Sequence, residues 1–555
     1  MLQTMLKFRR LIFHTVILLP ALILSLSCTT WSPDHYLQDM PPVDAGETVT
    51  MAQSSWPDAA EDQIAEEPNT GPLQITLQEA ILLAMENNQA LTVERLNPEI
   101  AQTFEEEERA VFDPTLGANL SSARTIAERL ARSGSSTETS TRDTVAADAS
   151  LSTLLPTGTT AALDVETSNV DSSLYSDEFS RGRVGASVTQ ALLRGAGVHV
   201  NLANIRQARL DTLATQYELR AFAEALLALV ESTYWDFALA ERQIEIYTHS
   251  LELAQQQLEE TRQRIEIGNL AATELAAAQS EVALRQEDLI TARSDLAKAR
   301  LRLVELLNPG VAEWWDRPVV LQDQPSTPNV VLDDVKEHVQ VALQMRPDLN
   351  QAKLLIQRGD LQIVKTRNGL LPKLDLIFIC GLSGNERRIP QSFDDIDGDN
   401  YDILFGVSMA YPLKNREAQA RFQRSVATRQ QSEDALANLT QIVQREIRIA
   451  YIDVERTGQE ITATAVTLKF QEETYRAEQE KFRVGRSTSL LVAQAQGNLV
   501  QSQIDQIEAV VNYLKALVNL HWREGSLLER RGVAAPGRQA VTLKTGGNGR
   551  TRGIN

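Results

Sequence analysis

Between residues 275 and 303, apolar positions recur at alternating steps of three and four: Leu275, Ala278, Val282, Leu289, Ala292, Leu296, Ala299 and Leu303, with Arg285 in one slot of the series. A mean period of 3.5 is the seam of a coiled coil, and large and small side chains alternate along it. Val492, Ala495, Leu499, Ser502, Gln506, Ala509, Tyr513, Ala516 and Leu520 repeat the register. Each seam follows a longer stretch nearly free of helix breakers: residues 201–265 hold neither proline nor glycine, and 416–482 hold only Gly458. At 1.5 Å per residue, a helix of that length is a rod of roughly 100 Å. Leu251, Ala254, Leu258, Thr261 and Ile265 supply a facing seam on the first rod; Leu468, Tyr475 and Phe482 supply one on the second. The pattern predicts a long outgoing helix, a glycine turn and a return helix, present twice, over 200–308 and 415–523.

Two other regions change period. Leu116, Ala118 and Leu120 alternate with Gly117, Asn119 and Ser121; Val184, Ala186 and Val188 alternate with Gly185, Ser187 and Thr189. Leu374, Leu376 and Phe378, and then Ile403, Phe405, Val407 and Met409, share the two-residue period. Strands are therefore expected within about 115–192 and 373–412, with one apolar face and one small or polar face. That alternation suits a half-buried strand and equally a membrane β-barrel, apolar outward and polar inward. Leu154-Leu155-Pro156-Thr157-Gly158 lies inside the first region; its pattern fits a turn between extra strands or a surface loop.

Self-comparison joins these parts. Ala84, Leu91, Pro114 and Leu116 match Ala342, Leu349, Pro372 and Leu374 at a constant offset of 258. Tyr234, Gly268 and Gln279 match Tyr451, Gly485 and Gln496 at an offset of 217. The difference of 41 places about 41 additional residues in the strand region of the first copy. The chain reads as a tandem duplication, 73–330 and 331–528.

The ends differ from this body. Lys7, Arg9 and Arg10 precede an apolar run from Leu11 to Leu26, the shape of a signal peptide over 1–27. Leu24-Ser25-Leu26-Ser27-Cys28 resembles a bacterial lipobox with Cys28 as the lipidation site, although Ser25 stands where Leu is usual; plain signal cleavage is the alternative. Residues 28–72 carry nine carboxylates and no Lys or Arg, and read as an acidic extended arm. Residues 529–555, with Arg530, Arg531, Arg538, Lys544, Arg550 and Arg552, read as a disordered basic tail.

Charge and composition narrow the functions. A formal charge of −20 argues against a nucleic-acid partner, since phosphate neutralisation needs a basic surface. Two cysteines exclude a disulfide framework. The six histidines are scattered, with no His-Glu-x-x-His, and no Walker loop occurs, so no enzyme and no cofactor are expected. Asp395, Asp397 and Asp399 surround Gly398 and are a weak Ca²⁺ candidate, but the distal Glu and flanking helices of an EF-hand are missing; otherwise no metal is expected.

Several segments together resemble the TolC-like outer-membrane efflux proteins, the outer membrane factor lipoproteins. They are Leu77-Gln78-Glu79-Ala80 with Ala84 and Asn87-Asn88, Phe112-Asp113-Pro114-Thr115-Leu116, Gln190-Ala191-Leu192-Leu193-Arg194-Gly195-Ala196-Gly197, and Phe482-Arg483-Val484-Gly485-Arg486-Ser487-Thr488. The resemblance covers about residues 73–526. It implies a mainly α fold with membrane β: a homotrimer in which an α-helical coiled-coil barrel continues into one shared transmembrane β-barrel. It implies an outer-membrane exit duct of a tripartite efflux or type I secretion system in a Gram-negative bacterium, reaching into the periplasm. The partners would be a periplasmic adaptor (membrane fusion protein), an inner-membrane RND or ABC transporter, and outer-membrane lipid. The adaptor-docking tips would be Ile267, Gly268 and Asn269 with Val484, Gly485 and Arg486. The family's acidic aperture rings would fall at Leu491 and Gln494, which are not acidic; Glu274, equivalent to Leu491 in the first copy, is the nearest carboxylate. Arg264 and Arg486 could pair across closed tips. The rival is a lipid-anchored periplasmic coiled-coil scaffold without a pore, which has no use for barrel strands in both copies.

Overall fold

The computed structural model describes residues 72–130, 134, 137–173, 178–308, 312–328, 332–397 and 399–543. The signal peptide, Cys28, the acidic arm, Gly398 and the last basic residues, Lys544, Arg550 and Arg552, lie outside them.

The elements repeat as the offsets require. In the first copy, β1 (Leu73–Ile75) leads into α1 (Leu77–Asn87) and α2 (Gln89–Ala110). Four strands follow: β2 (Thr115–Leu130), β3 (Thr137–Leu154), β4 (Thr159–Ser172) and β5 (Phe179–Ala191). Then come the short α3 (Val198–Asn201), the 64-residue α4 (Ala203–Glu266) and α5 (Glu274–Leu307). After β6 (Val319–Leu321), the second copy runs through α6 (Val335–Met345), α7 (Pro347–Asn368), β7 (Lys373–Glu386), α8 (Ile389–Asp394), β8 (Tyr401–Ala410), the 68-residue α9 (Arg416–Arg483) and α10 (Ser489–Glu524), and α11 (Leu527–Arg530) is the last described helix. Shifting α1 and α2 by 258 gives the bounds of α6 and α7, and shifting the end of α4 by 217 gives the end of α9. The N-caps obey the same offset: Thr76 accepts from the Glu79 amide in a capping box, and Asp334 accepts from the Lys336 amide. Each cap satisfies amides that the first helical turn leaves without partners.

The chain divides into two compact units. Among the described residues, one comprises Ile100–Thr212 and Leu355–Glu433. It holds a six-stranded antiparallel sheet in the order β2-β3-β4-β5-β7-β8. The turn at Leu155–Gly158 joins β3 to β4, so the first copy supplies four strands and the second two. Gly158 has φ +86, and a Cβ there would lie 2.2 Å from the Gly195 carbonyl oxygen, so only glycine closes this turn.

The other unit comprises residues 72–99, Leu213–Leu354 and residues 434–543. Its two hydrophobic clusters are built from matched positions. Ala84, Leu226, Val230, Phe237 and Leu303 fill one; Ala342, Val443, Ile447, Val454 and Leu520 fill the other. The seams expected from the heptads are buried: Ala278, Arg285, Leu289, Ala292, Ala299 and Leu303 on α5, and Val492, Ala495, Ser502, Ala509, Tyr513 and Leu520 on α10. No described helix is long and apolar enough to cross a membrane.

One expectation is corrected. Residues 529–543 are not a disordered tail. Leu527 and Leu528 are fully buried, Val533 and Ala535 are buried, and the Tyr217 hydroxyl donates to the Gln539 carbonyl. The Arg531 guanidinium grips Glu231 with two hydrogen bonds of 2.7 and 2.6 Å. The arginines and glycines suggested a solvated tail, but the apolar residues among them bury enough surface to hold the strap down.

Candidate functional site

Each long hairpin turns in the same way. Helix α4 ends in Ile267-Gly268-Asn269, where the Gly268 amide donates to the Ile265 carbonyl (3.0 Å) and the Asn269 amide to the Arg264 carbonyl (2.8 Å). Helix α9 ends in Val484-Gly485-Arg486, with Gly485 donating to Phe482 (3.0 Å) and Arg486 to Lys481 (2.8 Å). The paired bonds form a Schellman cap, whose C′ residue needs the left-handed region; Gly268 and Gly485 stand at φ +79 and +76. A Cβ at either glycine would meet nothing within 4 Å. Ile267 and Val484 are 69 % and 66 % exposed, so each tip offers an apolar side chain beside open backbone.

The structure joins the two hairpins beside their tips through Glu274, which the sequence offered as an aperture candidate. Glu274 opens α5, and its Oε2 accepts hydrogen bonds from the Ser489 amide (3.0 Å) and from the Ser489 hydroxyl at the start of α10. A carboxylate here satisfies an unpaired amide of the first turn and faces the positive end of the helix dipole. Thr488 completes the cap by accepting from the Leu491 amide (3.4 Å). Leu491, on the first turn, is half exposed, and Gln494, on the second, is exposed. Arg264 does not reach across to Arg486; its Nη1 donates to the Phe482 carbonyl (2.8 Å), its Nη2 to Glu260 (2.5 Å), and its guanidinium lies over the Phe482 ring at 4.9 Å. Beside this tip the Glu478 carboxyl sits below its usual range because Lys481 and Ser487 donate to it.

Arg285 occupies a core slot of the α5 seam between Glu281 (2.7 Å) and Asp288 (2.8 Å). A Cβ on Gly497 would come 3.1 Å from its Nη2, which gives that glycine of α10 a packing reason.

A denser buried cluster was missed in the sequence. Arg220, 1 % exposed, donates to Glu529 (2.5 Å) and to the Gly525 carbonyl (3.1 Å). Glu224 comes within 3.2 Å of the same guanidinium but is not aligned for a hydrogen bond, and burial pushes its carboxyl up to about 8. His338 and Ser526 donate to Glu524, which holds that carboxyl below its usual range although burial opposes this. Burial lowers His521 to about 4. The available signal was acid and base recurring through the strap, Glu524, Glu529, Arg530 and Arg531, close behind a buried Leu-Leu pair.

On the sheet, Arg183 lies flat on the polar face between Asp164 on β4 and Asp402 on β8, and Asn119 donates to Asp148 (2.9 Å). The candidate Ca²⁺ acids are engaged locally: Asp395 accepts from the Asn385 amide and Asp397 from the Asp399 amide, each at 3.0 Å. Among the described residues no three His, Cys, Asp or Glu side chains converge as a metal site.

Comparison with known proteins agrees with this architecture. The family model described as outer membrane efflux protein matches residues 159–309 and 338–522. The proteases secretion protein PrtF of Dickeya chrysanthemi is 26 % identical over 189 residues, spanning 33 % of this chain and 39 % of that relative. The Campylobacter jejuni CmeC outer membrane channel superposes with a TM-score of 0.61 at 13 % identity, over 82 % of this chain and 89 % of that one. The open state of the Neisseria gonorrhoeae MtrE outer membrane channel gives 0.57 at 17 % identity, over 86 % and 98 %.

Proposed function

The chain belongs to the outer membrane efflux protein family, and from that premise we propose that three copies form a passive exit duct of a tripartite efflux or type I secretion system. One observation carries the reading. The sheet has an apolar face with Leu116, Leu120, Phe405, Val407 and Met409 all more than 60 % exposed, and the outer edges of its two edge strands, β2 and β8, meet no further strand among the described residues. Apolar side chains and open strand edges are each costly in water, and open edges are costlier still in lipid. Closure of the sheet across copies in the outer membrane removes both costs. A periplasmic scaffold has no use for such a surface.

The duct does no covalent chemistry. Its tasks are to line a path, to close it and to be opened. The polar face of the sheet lines the path. The tips 267–269 and 484–486 are the docking surface for a periplasmic adaptor: exposed apolar side chains flank backbone left open by glycine. The Glu274–Ser489 clasp ties the two hairpin tips of each chain, and an adaptor that competes for it would let the tips part. The pump behind the adaptor would be of the RND or ABC class. The likeness to a protease secretion protein supports keeping secretion beside efflux.

The test is fractionation with crosslinking. The full chain should partition with the outer membrane as a heat-modifiable trimer, and cysteines at Ile267 or Val484 should capture a co-expressed adaptor. A soluble monomer would sink the duct, and a trimer whose tips capture nothing would sink the docking surface. Gly485→Asn serves as a control, because Asn tolerates the left-handed turn while adding bulk; capture should fall although the trimer persists.

A further inference from the structure

We infer that the hairpin β3–β4 is a barrel-widening insertion, which gives the assembled duct an outer-membrane lumen wide enough for polymeric or bulky cargo. The inference rests on the three-chain duct proposed above. The duplicated interval between matched helices holds two strands in the second copy, β7 and β8, and four in the first. β2 and β7 begin at positions matched by the offset of 258, and β5 falls opposite β8 at the offset of 217. The surplus is the pair β3 and β4, residues 137–172. Three chains with the duplicated strands alone would supply twelve; with the insertion they supply eighteen.

The inserted pair is wall, not surface loop. It pairs along its length on both sides, from Thr115↔Ser152 to Leu130↔Thr137 with β2 and from Thr159↔Gln190 to Val170↔Phe179 with β5. One row of register partners crosses all six strands as Leu116, Leu151, Leu163, Ala186, Cys380 and Ile403, and the next as Ala118, Ala149, Val165, Val184, Leu382 and Tyr401. On the opposite face the intervening rows run Gly117, Ser150, Asp164, Gly185, Gly381, Asp402 and then Asn119, Asp148, Glu166, Arg183, Ser383. A hairpin standing in water has no reason to continue the apolar face of its neighbours. A barrel wall must continue it, since every strand shows one face to lipid and one to the lumen.

The insertion is also tied to the duplicated strands by charge. Arg183 bridges Asp164 of β4 and Asp402 of β8, and it lies across glycines: a Cβ at Gly185 would fall 2.6 Å from its Nη1 and one at Gly381 2.7 Å from its Nη2. The cation is thus laid flat against the wall and does not project into the lumen.

The change in width is large. With strands about 4.8 Å apart and tilted by about 40°, twelve strands close at a Cα radius of ~12 Å and eighteen at ~18 Å. Barrels of about sixteen to eighteen strands are those that hold an open aqueous channel.

The direct test is electron cryomicroscopy of the full chain in lipid nanodiscs. The expected result is one barrel of eighteen strands with a Cα diameter of ~36 Å. A trimer with twelve barrel strands and β3–β4 projecting as a free hairpin overturns the inference and leaves the duct intact; the absence of a trimer overturns the duct and the inference with it. A second measurement uses polyethylene glycols of graded size, added from the cell-surface side during single-channel recording. Deleting residues 137–172 should lower the excluded hydrodynamic radius by roughly one third. An unchanged cut-off in a trimeric deletion variant contradicts the proposal, and where that variant does not assemble the strand count of the full chain decides.

Discussion

Glu274 is an instance of one side chain taking a role that its position in the sequence did not announce. The offset of 217 made it the counterpart of Leu491, a candidate for an aperture ring; folding places its carboxylate on the Ser489 amide of the same chain. Glu274→Ala should therefore expose that amide. A lost cap of about 1–2 kcal/mol corresponds to roughly tenfold faster hydrogen exchange at Ser489. Unchanged exchange would show that the clasp is not formed in solution. Glu224 and His521 give the pH dependence. Glu224 titrates near 8 in the folded chain against 4.5 unfolded, so the folded chain keeps a proton that the unfolded chain loses, and stability falls as pH rises through that window. His521 titrates near 4 against 6.5, so stability falls as pH drops from 6.5 towards 4. The two oppose each other below 6.5, and of the two Glu224 alone acts between 6.5 and 8. Thermal unfolding across that upper window should show the wild-type midpoint falling and Glu224→Gln falling less. Glu231, also raised by burial, has the same sign. Equal slopes would contradict the assignment.

At the scale of elements, what was legible is what is local. A 3.5-residue period, a capping threonine or aspartate and a glycine after the last turn are set by neighbours in sequence, and the long helices, their seams and their tips follow from them. The tail was misread because its signal is not local: Leu527 and Leu528 are buried by helices far away in sequence, and Arg531 pairs with a residue 300 positions earlier. Truncation after Gly525 should remove that ion pair together with the buried Leu527 and Leu528, and cost more than the about 3–5 kcal/mol of leaving Glu231 buried without its cation. Truncation after Leu543 should be neutral. Equal melting of the two truncated chains would return the strap to the status of a tail. The tip glycines make a second element-scale case: Gly268→Ala should weaken the first hairpin by about 1–2 kcal/mol through the left-handed φ alone, since no neighbour crowds the added Cβ. Local exchange at residues 263–269 reads this out, and no change there would mean the turn tolerates a side chain.

At the scale of the molecule, the duplication explains most of the chain. Two offsets relate four pairs of helices, α1 with α6, α2 with α7, α4 with α9 and α5 with α10, and account for both hydrophobic clusters of the long hairpins. The strand regions were legible as alternation, but their number was not, because Leu154–Gly158 fits a hairpin turn or a loop equally well until its partners are known. Acidic composition argued against a nucleic-acid partner and left the cargo open. The apolar wall with its polar reverse is what turns a set of helices into a conduit. Planar-bilayer recording of the purified full chain tests this most directly. A duct should insert as a trimer and pass current in discrete steps, with longer open times in Glu274→Ala. Folded, membrane-inserted trimers that carry no current in either form would contradict it.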